Sequence, residues 1–87
     1  MTENIAAPSA RTAAQEAVLD IARTVLVRPA LGLDDDVFNQ GATSLSFLKI
    51  LAEIKKELAV VVRPAELEGV ASARNIAAHV TATTQGA

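Results

Sequence analysis

Ser44 is the residue on which chemistry could be built. It ends the run Asp36-Val37-Phe38-Asn39-Gln40-Gly41-Ala42-Thr43-Ser44, and Leu45 follows at the start of an amphipathic stretch. Gly41 lets the backbone turn sharply at little steric cost. Such a turn would set Ser44 at a helix N-terminus, where unpaired amides and the helix dipole favour a phosphate ester. A hydroxyl presented outward there, beside an apolar Leu45, suits modification by another protein. The same residues also describe a plain helix cap, with Thr43 or Ser44 accepting from first-turn amides. No second catalytic group accompanies the serine: His79, the single histidine, lies far along the chain and is expected on the surface. The run Asp34-Asp35-Asp36 lacks the alternating ligands and closing Glu of a calcium loop, so it reads as a solvated acidic loop facing a basic partner, and no metal is expected.

The elements that must position Ser44 follow from periodicity. Ala14, Val18, Ile21, Ala22, Val25 and Leu26 recur at helical spacing from Arg11 onward, and Pro29 sets the stop. Residues 28 to 43 form a long connection, more often functional than decorative in a small domain. Phe38 is expected to be the main pin holding it to the helices. A second helix starts at or next to Ser44 and ends near Leu58, with Leu48, Leu51, Ile54 and Leu58 as its inward stripe. Phe47 is left open between an exposed docking contact and a ring in the groove between helices. Val60, Val61 and Val62 read as an extended linker burying one or two side chains. Pro64 suits the first turn of a short helix over Ala65 to Glu68, closed by Gly69. Ser72 caps a last helix running to about Thr81, with Ile76, Ala77 and Val80 inward. The domain reading is a flexible lead-in over 1–10, a helical domain over 11–82 and a fraying tail over 83–87.

Bulk properties narrow the function. Eighty-seven residues hold one domain with a modest core and little room for a deep enzyme pocket. Only 2% of residues are aromatic, so Leu, Val, Ile and Ala must fill the core, which suits packed helices. A net charge of −2 without a basic stripe argues against nucleic-acid binding, including by a helix-turn-helix. The absence of cysteine excludes disulfides and thiolate metal sites. No apolar run approaches the roughly 20 residues that span a bilayer, and the start lacks the order of a secretory signal. A cytoplasmic, monomeric protein without a membrane partner is expected.

The segment around Ser44 resembles the attachment signature of carrier proteins in fatty-acid, polyketide and nonribosomal peptide synthesis. Asp36, Phe38, Gly41, Ala42, Ser44 and Leu45 occupy the positions of that pattern. Leu48, Ile50, Leu51, Ile54 and Leu58 match the apolar positions of the helix after the serine. Leu67 matches one in the short third helix, and Ser72, Ile76 and Ala77 match the start of the last. The likeness covers about residues 14 to 82. It implies an all-α, four-helix carrier bundle and a non-enzymatic role. A phosphopantetheinyl transferase would attach 4′-phosphopantetheine from coenzyme A to Ser44. The arm's thiol would then hold aminoacyl or acyl groups as thioesters. An adenylating or acyl-transferring enzyme would load it, and downstream synthase or tailoring enzymes would take the cargo.

Departures from the pattern refine these expectations. Thr43 replaces a common Asp, and Lys49 stands where fatty-acid carriers tend to be acidic; both lean toward a peptidyl or aminoacyl type. Glu68 and Ala71 replace the usual Phe and Pro, which implies a shorter or looser third helix. Leu45, Phe47 and Lys49 are the expected partner contacts. Met1 and the lead-in suit a free-standing carrier, and an excised domain of a larger synthase would read the same way. The rival reading is a cofactor-free helical interaction module in which Ser44 only caps.

Overall fold

The computed structural model describes residues 10–67 and 69–85. The expected lead-in falls outside them except for Ala10, which opens the first helix. Three α-helices make the fold: α1 (Ala10–Leu26), α2 (Ser44–Leu58) and α3 (Ala73–Gln85), with short 3₁₀ turns at Val37–Gln40 and Pro64–Glu66 and no strand among the described residues. The all-helical bundle is therefore as expected, with 3₁₀ turns in place of the fourth helix. No helix among the described residues is long and apolar enough to cross a membrane.

Helix α1 is the centre of the packing, lying against α3 and, less extensively, α2. Its inward stripe is Val18, Ile21 and Ala22, with Ala14, Val25 and Leu26 partly buried beside them. It ends two residues earlier than Pro29 requires. The Arg28 amide donates to the Arg23 carbonyl (2.9 Å) and the Val27 amide to that of Thr24 (3.3 Å), the paired bonds of a Schellman stop. Val27 is left-handed, φ 53°, a conformation that is rare for a β-branched residue. The valine linker alternates as a strand would: Val60 and Val62 are buried and Val61 is exposed. Ser72 caps α3, its Oγ accepting from the Asn75 amide at 3.2 Å. α3 continues to Gln85, four residues past Thr81 and into the expected tail.

The long connection is not irregular throughout. Asp36 caps the Val37–Gln40 turn, its Oδ1 accepting from the Phe38 amide at 2.9 Å. The Val37 amide donates to the Ala71 carbonyl (3.0 Å), which turns the Val37 side chain into the core, where it is fully buried. Phe38, the next residue, is thereby directed outward and is 44% exposed. The expectation that Phe38 pins the loop is corrected: Val37 does. Val37→Ala should cost about 2 kcal/mol, from lost transfer energy and the space left behind. Phe38→Ala should cost well under half of that. Chemical denaturation of both variants checks the order.

The acidic run is also structural rather than simply solvated. Asp34 forms a bidentate pair with Arg74 (Oδ1 to Nε 2.6 Å), and the Arg74 amide donates to the Leu33 carbonyl at 3.0 Å. Asp35 Oδ2 accepts from the Gly32 amide at 2.7 Å. The hydrogen bond and charge of Arg74 hold the Asp34 carboxyl below its ordinary value, and Asp34 raises Arg74 in return. The contribution of the Asp34–Arg74 pair is thus complete above the ordinary carboxylate pKa and lost as pH falls through the lowered one. Both groups face solvent, so that contribution is small.

Candidate functional site

Ser44 is the first residue of α2, and its side chain is exposed. The capping duty falls to Thr43. Thr43 is extended (φ −97°, ψ 173°), and its Oγ1 accepts from the Ser46 amide at 3.1 Å. The Thr43 hydroxyl also meets Ser46 Oγ at 3.1 Å, and its carbonyl accepts from the Phe47 amide at 2.9 Å. Ser44 Oγ has no hydrogen-bond partner among the described residues. The Ser44 hydroxyl is therefore open to solvent and is not needed to cap the helix. Ser44 does not serve as the cap that the rival reading gives it.

Gly41 places the helix start. It is left-handed, φ 100°, and its amide donates to the Phe38 carbonyl at 3.4 Å. The Ala42 amide donates to the Val37 carbonyl at 3.0 Å. Val37, buried and tied to Ala71, is thus the fixed point from which the turn delivers Thr43 and Ser44. A side chain at Gly41 would be strained by φ alone.

The four expected site residues separate. Leu45 is 66% exposed, next to Ser44 on the outward surface. Phe47 is only 7% exposed, so its expected role as an open docking contact is corrected to core. Leu48, assigned to the inward stripe from the sequence, is 51% exposed. The buried stripe is Phe47, Ile50, Leu51 and Ile54. Lys49 lies in a groove of about 540 Å³ against α1, with Asp20, Thr24, Glu53 and Glu57, and Ser44 does not line it. The exposed apolar residues around Ser44 are therefore Leu45, Leu48 and Phe38. The last two were missed as surface residues. A helical wheel finds Leu48: at about 100° per residue, Phe47, Ile50, Leu51, Ile54 and Leu58 fall within about 100°, and Leu48 about 60° beyond.

A second groove, about 420 Å³, is lined by Ser44 with Phe38, Phe47, Leu48, Leu67 and Ala71. The Phe38 and Phe47 rings meet in it, 5.2 Å apart and tilted by 48°. Its walls are mostly apolar, with the Ser44 side chain at the lining. The Pro64–Glu66 turn near it is shorter than the expected helix over Ala65 to Glu68, in line with the substitutions there; Glu68 lies outside the described residues. His79 is half-buried, its Nε2 3.2 Å from Glu66 Oε1, and so ties α3 to that turn.

A family model described as a phosphopantetheine attachment site matches residues 16–80. Neither the curated proteins nor the solved structures contain a match to the chain.

Proposed function

Because the chain belongs to the phosphopantetheine-attachment family, whose members carry 4′-phosphopantetheine covalently, we propose that Ser44 bears the arm and that the protein carries aminoacyl or acyl groups for partner enzymes. The observation that supports this best is the division of labour at the start of α2. Thr43 caps, and Ser44 stands exposed beside it with an unengaged hydroxyl. The residues present fit the group. Ser44 Oγ would lose its proton and form the phosphoester bond as the pyrophosphate P–O bond of coenzyme A breaks and adenosine 3′,5′-bisphosphate leaves. The first-turn amides would favour the negative charge that arrives there. The adjoining apolar groove suits an aliphatic chain.

When bound, the group supplies a thiol that holds cargo as a thioester, which a chain without cysteine cannot do itself. This chain's own residues hold and present. Val37 and Gly41 fix the loop, Thr43 starts the helix, and Leu45, Leu48 and Phe38 offer apolar surface to whichever enzyme approaches. Catalysis belongs to those partners: a phosphopantetheinyl transferase, a loading enzyme, and synthase or tailoring enzymes of nonribosomal peptide or polyketide type. Thr43 keeps the capping function that Asp would serve at the same place, and Lys49 faces α1. The lean toward an aminoacyl cargo rests on these two positions, and both aminoacyl and acyl groups stay within the proposal.

Intact-mass measurement after incubation with coenzyme A and a broad-specificity transferase tests the reading. One arm should be added per chain, and fragmentation should place it on Ser44. An unchanged mass with a transferase active on a control carrier would favour the cofactor-free interaction module.

A further inference from the structure

We infer that Arg28 is a positioning residue for the phosphodiester that joins the arm to Ser44, an inference that rests on the assignment of the arm to Ser44. Arg28 Nη2 lies 3.4 Å from where a Cβ on Gly41 would stand, so the guanidinium covers the glycine three residues before Ser44. Ser44 lies three peptide steps farther on, at most about 11 Å from Gly41, within the combined reach of a flexible Arg side chain and a phosphate on the serine. Arg28 has no side-chain hydrogen bond or ion pair among the described residues. Its neighbours are committed: Arg23 Nε donates to the Leu31 carbonyl at 2.8 Å, and Arg74 holds Asp34. In the same connection Asp35 accepts from the Gly32 amide and Asp36 from the Phe38 amide, and neither pairs with Arg28.

The backbone that carries Arg28 is held in an unfavourable conformation. Val27, 81% exposed, keeps the left-handed φ of 53° that glycine would adopt without strain, and no burial of its side chain compensates for this. The Arg28 amide is fixed to the Arg23 carbonyl, its carbonyl accepts from the Leu31 amide at 3.0 Å, and Pro29 restricts its ψ. The strained stop of α1 thus delivers one unengaged cation to the loop before Ser44. A phosphodiester carries one negative charge at neutral pH and leaves oxygens free to accept from a guanidinium. Arg28 would hold the root of the arm against the loop while its thiol end stays mobile.

The experiment compares unmodified and fully modified full-length protein by NMR. It follows the Arg28 Nε–H resonance and the ³¹P resonance of the phosphodiester between about 10 and 300 mM salt, where the Debye length falls from about 30 Å to under 8 Å. The Arg28 resonance should move on modification, with the displacement shrinking as salt rises. Arg28→Gln should shift the ³¹P resonance from its wild-type position and remove its salt dependence, and Arg28→Lys should restore part of both. A modified protein, verified by mass, whose Arg28 resonance matches the unmodified one at low salt overturns the inference and leaves the Ser44 assignment intact. So does an Arg28 resonance that moves only when a partner enzyme is added. A protein that accepts no arm overturns both.

Discussion

Ser44→Ala should gain no mass from coenzyme A and a transferase while melting at the wild-type temperature. Both halves of this expectation follow from the capping assignment. Thr43 Oγ1 satisfies the Ser46 amide, and Ser44 Oγ satisfies nothing, so removing the latter leaves no orphaned group. Alanine is also a better helix former than serine. Thr43→Ala should behave in the opposite way. It should lose about 1 kcal/mol of cap energy, a drop of about 4–8 °C for a domain of this size, and still accept the arm. The two variants therefore separate reactivity from stability at adjacent positions. A low-melting Ser44→Ala beside a wild-type Thr43→Ala would reassign the cap to Ser44. Modification that persists in Ser44→Ala would remove the attachment site from this serine.

The adjacent pair Phe47 and Leu48 should also split, with a larger energetic effect. Phe47→Ala removes a buried ring at a typical cost of about 3–5 kcal/mol, set against a total stability of about 5 kcal/mol for a small domain. Its Ile50, Leu51 and Ile54 neighbours would line the resulting void, and Phe38 would lose its ring partner. The variant should be largely unfolded, visible as a lost thermal transition. Leu48→Ala should melt normally. It should instead slow loading by the partner enzyme about tenfold, if the contact it makes there is worth about 1.4 kcal/mol. The rate should depend little on salt, because an apolar contact is only weakly screened. Normal loading of Leu48→Ala together with steep salt sensitivity would move recognition from the apolar surface to charged residues.

Helix positions were legible in the sequence because each helix carries an apolar period with a readable stop. Ser72 before α3, Pro29 after α1 and the alternation of Val60, Val61 and Val62 all mark boundaries by local chemistry. The errors came where adjacent apolar residues compete. Val37 and Phe38 both suit burial by type, and the larger was favoured; the choice is made by a backbone bond from Val37 to Ala71, which no local pattern contains. Phe47 and Leu48 form a second such pair. A stripe drawn through Leu48 satisfied the three-residue spacing but neglected Ile50, whose burial moves the whole face. The candidate serine was legible from the pattern of Asp36, Phe38, Gly41, Ala42, Ser44 and Leu45 with the apolar helix after it. The guanidinium beside Gly41 was not, because Arg28 meets that glycine only after the connection folds back on α1.

The bonds that tie the connection to α3 also set an order of events during synthesis. Asp34 and Arg74 are 40 residues apart in sequence, and the Leu33 and Val37 bonds close loops of similar length. Closing such a loop carries an entropic cost that local helical contacts do not. A ribosome makes Ser44 well before it makes Ala71 or Arg74, so α1 and α2 can be complete while the turn between them lacks its anchor. The Val37 anchor of the turn before Ser44 is then completed only when the last third of the chain has emerged and docked. A chain truncated before Ala71 should keep the local bonds around Ser44 and lose the one that fixes Val37.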